Sequence, residues 1–124
     1  MTLQVELVSP ERILYSGEAD MVVCRTAGGG EIAFLTGHAP FLGALDTGVV
    51  RVKTAAGDQV AAVHGGFVEV RDNRVIILSD VAELAADIDV ARAQRAKDAA
   101  AGDEDEAVAA RARAEARLNA AARA

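Results

Sequence analysis

Apolar and polar residues alternate along the first part of the chain and stop alternating near its end. Leu3, Val5 and Leu7 are interleaved with Gln4 and Glu6, the period-two pattern of a half-buried strand. Ser9-Pro10-Glu11 reads as a turn, and an extended run from Ile13 to Arg25 follows, with an expected break near Ser16-Gly17. From Val49 to Thr54, Val50 and Val52 oppose Arg51 and Lys53; Ala55-Ala56-Gly57-Asp58 then turns the chain into Gln59 to His64. Gly65-Gly66 predicts a bulge or tight connection before Phe67 to Arg71. Asp72-Asn73 fits a two-residue hairpin turn, because both residues accept the left-handed region. Val75 to Leu78 is apolar at every position and is expected to lie centrally. Short strands at this spacing predict a sandwich or a barrel, and the absence of strand–helix alternation argues against a parallel sheet.

The pattern changes between Asp80 and Asp87. Nineteen of the last 43 residues are alanine and one is glycine, so a β-rich part, 1–86, gives way to a helical part, 87–124. Asp87 is the expected cap of a first helix over Ile88 to Ala101, and Gly102 ends it. Asp103-Glu104-Asp105-Glu106 then opens a second helix to about Arg123. Its acids at the start and arginines toward the end suit the helix macrodipole. The pair forms an antiparallel helical hairpin. From Asp89 onward its larger aliphatic side chains are Val90, Val108 and Leu118. At roughly 1.5–3 kcal/mol per fully buried side chain, these hold a hairpin weakly. The helices are expected to form readily and dock loosely, as in a mobile arm.

The stretch Gly28 to Gly48 stands apart. It holds six of the eleven glycines, together with Pro40, His38 and two of the three phenylalanines, and predicts a shaped surface loop anchored by Ile32, Phe34, Leu35, Phe41, Leu42 and Leu45.

Composition narrows the function. The net charge of −6 and the lack of Trp disfavour nucleic acid, which requires basic surface and stacking aromatics. No run is long and apolar enough for a membrane span, and Met1 to Glu6 carries neither a basic nor an apolar leader, so no secretion signal is expected. Cys24, the one cysteine, is expected to be a small buried hydrophobe. His38 and His64 have no metal-ligand partners at recognisable spacing, and no nucleophile motif is present. Gly28-Gly29-Gly30 lacks the Gly-Lys-Ser/Thr ending of a phosphate loop. No catalytic or metal-binding residue is predicted.

A series of short motifs carries a resemblance. Gly37-His38-Ala39-Pro40-Phe41-Leu42 is its most specific member, with Ser9-Pro10-Glu11-Arg12, Ser16-Gly17-Glu18-Ala19 and Gly30-Glu31-Ile32 before it. Leu45-Asp46-Thr47-Gly48-Val49-Val50-Arg51, Gly65-Gly66-Phe67-Val68-Glu69-Val70, Asn73 to Asp80 and Ile88-Asp89-Val90-Ala91-Arg92-Ala93 continue it in order. Together they resemble the epsilon subunit of bacterial F-type, proton-translocating ATP synthases over nearly the whole chain.

The resemblance implies an N-terminal antiparallel β-sandwich followed by a C-terminal antiparallel helical hairpin. It also implies a non-catalytic rotor subunit of the central stalk, peripheral at the cytoplasmic face of the bacterial inner membrane. The sandwich would bind the gamma subunit and rest on the c-ring, coupling rotation to ATP synthesis. The hairpin would extend toward the catalytic alpha/beta hexamer and inhibit ATP hydrolysis. By the same resemblance Glu31 and His38 belong to the c-ring and gamma interface, and Arg111, Arg113, Arg117 and Arg123 to the hexamer contact. Ile88-Asp89-x-x-Arg92-Ala93 matches an ATP-binding pattern of some members, with Arg92 toward phosphates, Asp89 toward adenine or ribose, and Glu83 as a further ligand. Read from the residues alone, Asp89 and Arg92 are an exposed ion pair on one helix face, and the arginines are a solvated face. Two other functions stay open here: a sensor that binds ATP as a regulatory ligand, and an unrelated β-sandwich adaptor.

Overall fold

The structure is a computed structural model that describes residues 2–123. Eight strands come first: β1 (Leu3–Val8), β2 (Ile13–Ala19), β3 (Met21–Thr26), β4 (Gly30–Leu35), β5 (Phe41–Thr54), β6 (Gly57–Arg71), β7 (Arg74–Leu78) and β8 (Ala82–Leu84). A single 3-10 turn (Ala85–Asp87) leads to α1 (Val90–Ala99) and α2 (Asp105–Ala122). The hydrogen-bonded order is β2-β1-β7-β6-β5-β3-β4, and β8 extends the line of β7 along the same edge of β6.

The two long strands make this one ladder into a sandwich. Leu45 and Val50, an odd and an even position of β5, both face the core, and so do Val63 and Val68 of β6. Between those points the paired ribbon turns over, carrying β5 and β6 from one layer into the other. Across the core β2 then lies against β5 and β8. The interior is filled by Leu3, Val5, Leu7, Val22, Phe34, Val52, Val75 and Ile77, all under 3% exposed, and their neighbours.

Gly66 sits where the ribbon turns. A Cβ on it would lie 2.1 Å from the Leu78 carbonyl oxygen, and its φ is +128°, so only glycine fits. The predicted bulge is absent: β6 pairs with β5 in one unbroken register through Gly65-Gly66. Ser79 closes the gap between β7 and β8, donating its hydroxyl to Gly65 O at 2.7 Å. The Asp72-Asn73 turn is as expected, with φ of 51° and 59°. Asn73 also accepts the Gly37 N–H on its side-chain oxygen at 2.7 Å, tying this hairpin to the turn after β4.

Other expectations change. Gly28 to Gly48 is mostly strand, in β4 and β5, with turns at its start and at 36–40; its glycines shape the ends of a sheet rather than one loop. The break in the Ile13–Arg25 run falls at Asp20 instead of Ser16-Gly17, because Gly17 pairs with Val5 inside the ladder. One pairing, β1 with β7, is parallel while the rest are antiparallel; the five strands β2 to β6, rather than a crossover helix, connect the two.

In the hairpin, the cap is Asp89 rather than Asp87: its carboxylate accepts the Arg92 N–H at 3.0 Å. Ile88 is withdrawn from the helix and buried against the sandwich. Arg111 Nη1 donates to Ala100 O at 2.8 Å, joining the end of α1 to α2. It is α2 that lies on β5 and β6, while α1 packs on α2. The contact is built from Ala116 and Ala120 against Val60, Ala62, Ala85 and Ile88, flanked by Val49 and Ala121. Val90 and Val108, 51% and 46% exposed, point to solvent instead. Among the described residues no helix is long and apolar enough to cross a membrane.

Candidate functional site

The sandwich has two outer faces of different fate. Alternation along β6 puts Val60, Ala62 and His64 on the face beneath α2. On the opposite face Leu42, Phe67 and Leu78 are 71%, 59% and 52% exposed. Their strands β5, β6 and β7 are adjacent, with Phe67 directly opposite Leu78, so they form one apolar patch. A cavity of about 290 Å³ opens beside it, walled by Val8, Pro10, Phe67 and Leu78 over Gly65 and Gly66. Isolated exposed apolar residues are ordinary, whereas a contiguous patch marks an interaction surface. Sequence reasoning missed this patch. Its signal was there in Val75 to Leu78, apolar on both faces although one face meets no other element.

On the covered side, Glu83 of β8 is the junction. Its Oε1 accepts the Arg117 Nε–H at 2.6 Å and lies 3.2 Å from His64 Nε2. Arg117 thereby links α2 to the sandwich. Burial raises the Glu83 pKa, but the hydrogen bonds and charges of Arg117 and His64 outweigh it, and the carboxyl sits below its usual value. His64, with its side chain 4% exposed, is also held below its ordinary value. Burial is the main cause, and the Arg117 and Arg113 charges add to it. The neutral ring carries its proton on Nε2, toward Glu83, as the hydrogen-bond network assigns it.

Beside this junction a cleft of about 240 Å³ is lined by Glu83, Asp87, Asp89, Arg92 and Arg117, with Ala93 and Ala96. The three residues singled out for ATP, Glu83, Asp89 and Arg92, therefore share one cavity. Asp87 and Arg117 join them, Asp87 being paired to Arg12 at 2.9 Å. The expected Asp89–Arg92 contact is made through the Arg92 backbone, which leaves its guanidinium side chain exposed at the cleft. Three carboxylates here surround two guanidinium groups, one already bound to Glu83.

The four arginines named together do different things. Arg111 holds the interhelical connection, Arg113 pairs with Glu106 at 3.0 Å, and Arg117 grips Glu83. Arg123 follows the last turn of α2 and is exposed.

Glu31 and His38 lie toward opposite ends of β4 rather than together, Glu31 at the start of the strand and His38 in the turn after it. Glu31 is a strand residue paired with Arg25, exposed in a polar groove of about 350 Å³ that also contains Asp46, Glu115 and Arg123. Behind it, burial and the Glu31 charge push the Cys24 thiol up to about 12, which keeps it inert. His38 places Nδ1 2.7 Å from Ala39 O and packs edge-on against Phe34, with ring centroids 4.9 Å apart. No group of three or more His, Cys, Asp or Glu able to hold a metal ion occurs among the described residues.

Residues 2–85 match the model of the ATP synthase delta/epsilon chain β-sandwich domain. An ATP synthase epsilon chain of Streptomyces griseus is 48% identical over 119 residues, covering 95% of this chain and 94% of that one. One of Brevibacillus brevis is 48% identical over 99 residues, 79% and 74% of the two chains. Among solved structures, a chain of the Euglena gracilis mitochondrial ATP synthase OSCP/F1/c-ring assembly superposes with a TM-score of 0.72 at 24% identity, covering 94% of this chain and 75% of that one. A chain of the Tetrahymena thermophila central stalk/c-ring assembly gives 0.63 at 18% identity, with coverage of 97% and 93%. These two structural likenesses establish the shared fold of sandwich and hairpin. Through the domain match and the near-full-length identity, the chain belongs to the epsilon-chain family of ATP synthases.

Proposed function

We propose that the chain is a rotor subunit of the central stalk of a bacterial F-type ATP synthase, peripheral at the cytoplasmic face of the inner membrane. It couples c-ring rotation to the gamma stalk and the catalytic hexamer without itself carrying out chemistry. The observation that carries this reading is the asymmetry of the sandwich. One face holds an uncovered apolar patch around Leu42, Phe67 and Leu78, suited to a permanent partner such as gamma. The other face holds a hairpin through alanine methyl groups and the ion pairs Arg117–Glu83 and Arg12–Asp87, suited to release. Residues 1–86 form the static unit and 87–124 the arm. Glu31 and the turn at His38 are surface candidates for the c-ring and gamma. On release the arm frees Arg117 and carries it, with Arg111, Arg113 and Arg123, to the alpha/beta hexamer, braking ATP hydrolysis.

Co-purification with a gamma subunit tests this directly. The wild-type chain is retained, and Phe67→Glu, which places a charge in the exposed patch, is lost while staying folded. Retention of Phe67→Glu at wild-type affinity would move the gamma surface elsewhere.

A second reading has its own observation: Glu83, Asp89 and Arg92 line one cleft. In this reading ATP is a regulatory ligand there, with its phosphates on Arg92. Calorimetry with wild type and Arg92→Ala decides it, because equal and negligible heats would remove the ligand. Family membership sets the unrelated adaptor aside.

A further inference from the structure

His64 continues the stripe of Val60 and Ala62 on which α2 rests. Glu83 faces it from β8, and Arg117 of α2 shares the same carboxylate oxygen. Arg113 of α2, itself paired with Glu106, adds a second positive charge. Asp80, from the connection between β7 and β8, lines a cavity wall with the ring. His64 Nδ1 is buried and has no hydrogen-bond partner among the described residues. One carboxylate thus serves both a guanidinium and an imidazole. A second proton on the ring would create a cation out of water, beside two guanidinium groups, with its counter-charge already shared. When α2 leaves, both arginines leave with it, and an imidazolium gains Glu83 and solvent.

We propose that hairpin docking is proton-linked through His64: the ring takes up one proton as the arm leaves the sandwich, so acidification releases the arm. The proposal rests on the detachable-hairpin reading above. Burial first, and then the arginine charges, hold the docked ring neutral at pH values where the released ring is charged, against the opposing pull of Glu83. The docked form then binds fewer protons than the released form. The docked-to-released ratio is therefore constant well above the ring's ordinary value of 6.5 and falls as the pH drops through it, by up to about tenfold per pH unit. Glu83, also held low, adds its own loss only below its ordinary value of 4.5, outside this window.

Methyl NMR of Ala62 and Ala116 in the full chain, from pH 8 to 5.5, measures the docked fraction, and the His64 ring signals report its charge. In wild type the released population is expected to grow as pH falls through about 6.5, in step with His64 protonation. In His64→Gln, which keeps a donor toward Glu83 but does not titrate, it is expected to stay flat. A docked fraction constant with pH in wild type, or an equal slope in His64→Gln, overturns the proton link. If no exchange between docked and released forms is seen at any pH, even in Arg117→Ala, the detachable-hairpin reading falls too.

Discussion

Arg117→Ala isolates the ion pair from the rest of the docking surface. The pair joins α2 to β8 at 2.6 Å, and its side chains are 29% and 31% exposed. Fully exposed pairs contribute about 0–1 kcal/mol, and a hydrogen bond to a charged group about 1.5–3. Half-burial places this one between, and Glu83 keeps His64 as a partner after the substitution, so it is not orphaned. The expected loss is about 1–2 kcal/mol, a roughly 5–30-fold fall in the docked-to-released ratio. That is large against the rest of the contact, since each alanine methyl buried by α2 contributes only about 0.8 kcal/mol. Hydrogen exchange provides the assay. Amides of α2 around Ala116 and Ala120 should exchange about 5–30 times faster, while Val68 and Val75 in the sandwich core keep wild-type rates. Unchanged exchange in α2 would refute the idea that this pair is the latch. Equal acceleration in the core would refute the separation of hairpin from sandwich.

Three further outcomes are expected. Gly66→Ala forces a methyl against the Leu78 carbonyl at 2.1 Å and should lower sandwich stability by about 3 kcal/mol or more, read as a drop in denaturant midpoint. Asp89→Ala removes the cap on Arg92 N, costing α1 about 1 kcal/mol; circular dichroism should show less helix, with the sandwich transition unmoved. Cys24, buried with its thiol pushed up to about 12, should resist a thiol reagent at pH 8 until the sandwich unfolds; rapid labelling of native protein would contradict its burial.

Period-two alternation at Leu3 to Leu7 and the Asp72-Asn73 turn were legible in the sequence because both are local. So was the alanine-rich hairpin, since helix propensity and the Gly102 break need no tertiary context. What escaped depends on pairing across the chain. Gly65-Gly66 looks like a bulge locally, yet it is the crossing point at which β6 passes the Leu78 carbonyl. Asp87 is the cap expected from the sequence; burial of Ile88 against Val60 and Ala62 shifts the cap to Asp89. Of the site, Glu83, Asp89 and Arg92 line one cleft. The Glu83 bond to Arg117 could not be read from spacing, because 34 residues separate the partners. Nor could the role of His64, whose neighbours arrive from β8 and α2.

Truncation after Asp87 tests the central claim most directly. Among the described residues the sandwich core draws no side chain from the hairpin, so the shortened chain is expected to fold cooperatively and bind a gamma subunit with the affinity of the full chain. A truncated chain that unfolds, or that folds and no longer binds gamma, would contradict the division into a gamma-binding sandwich and a detachable arm.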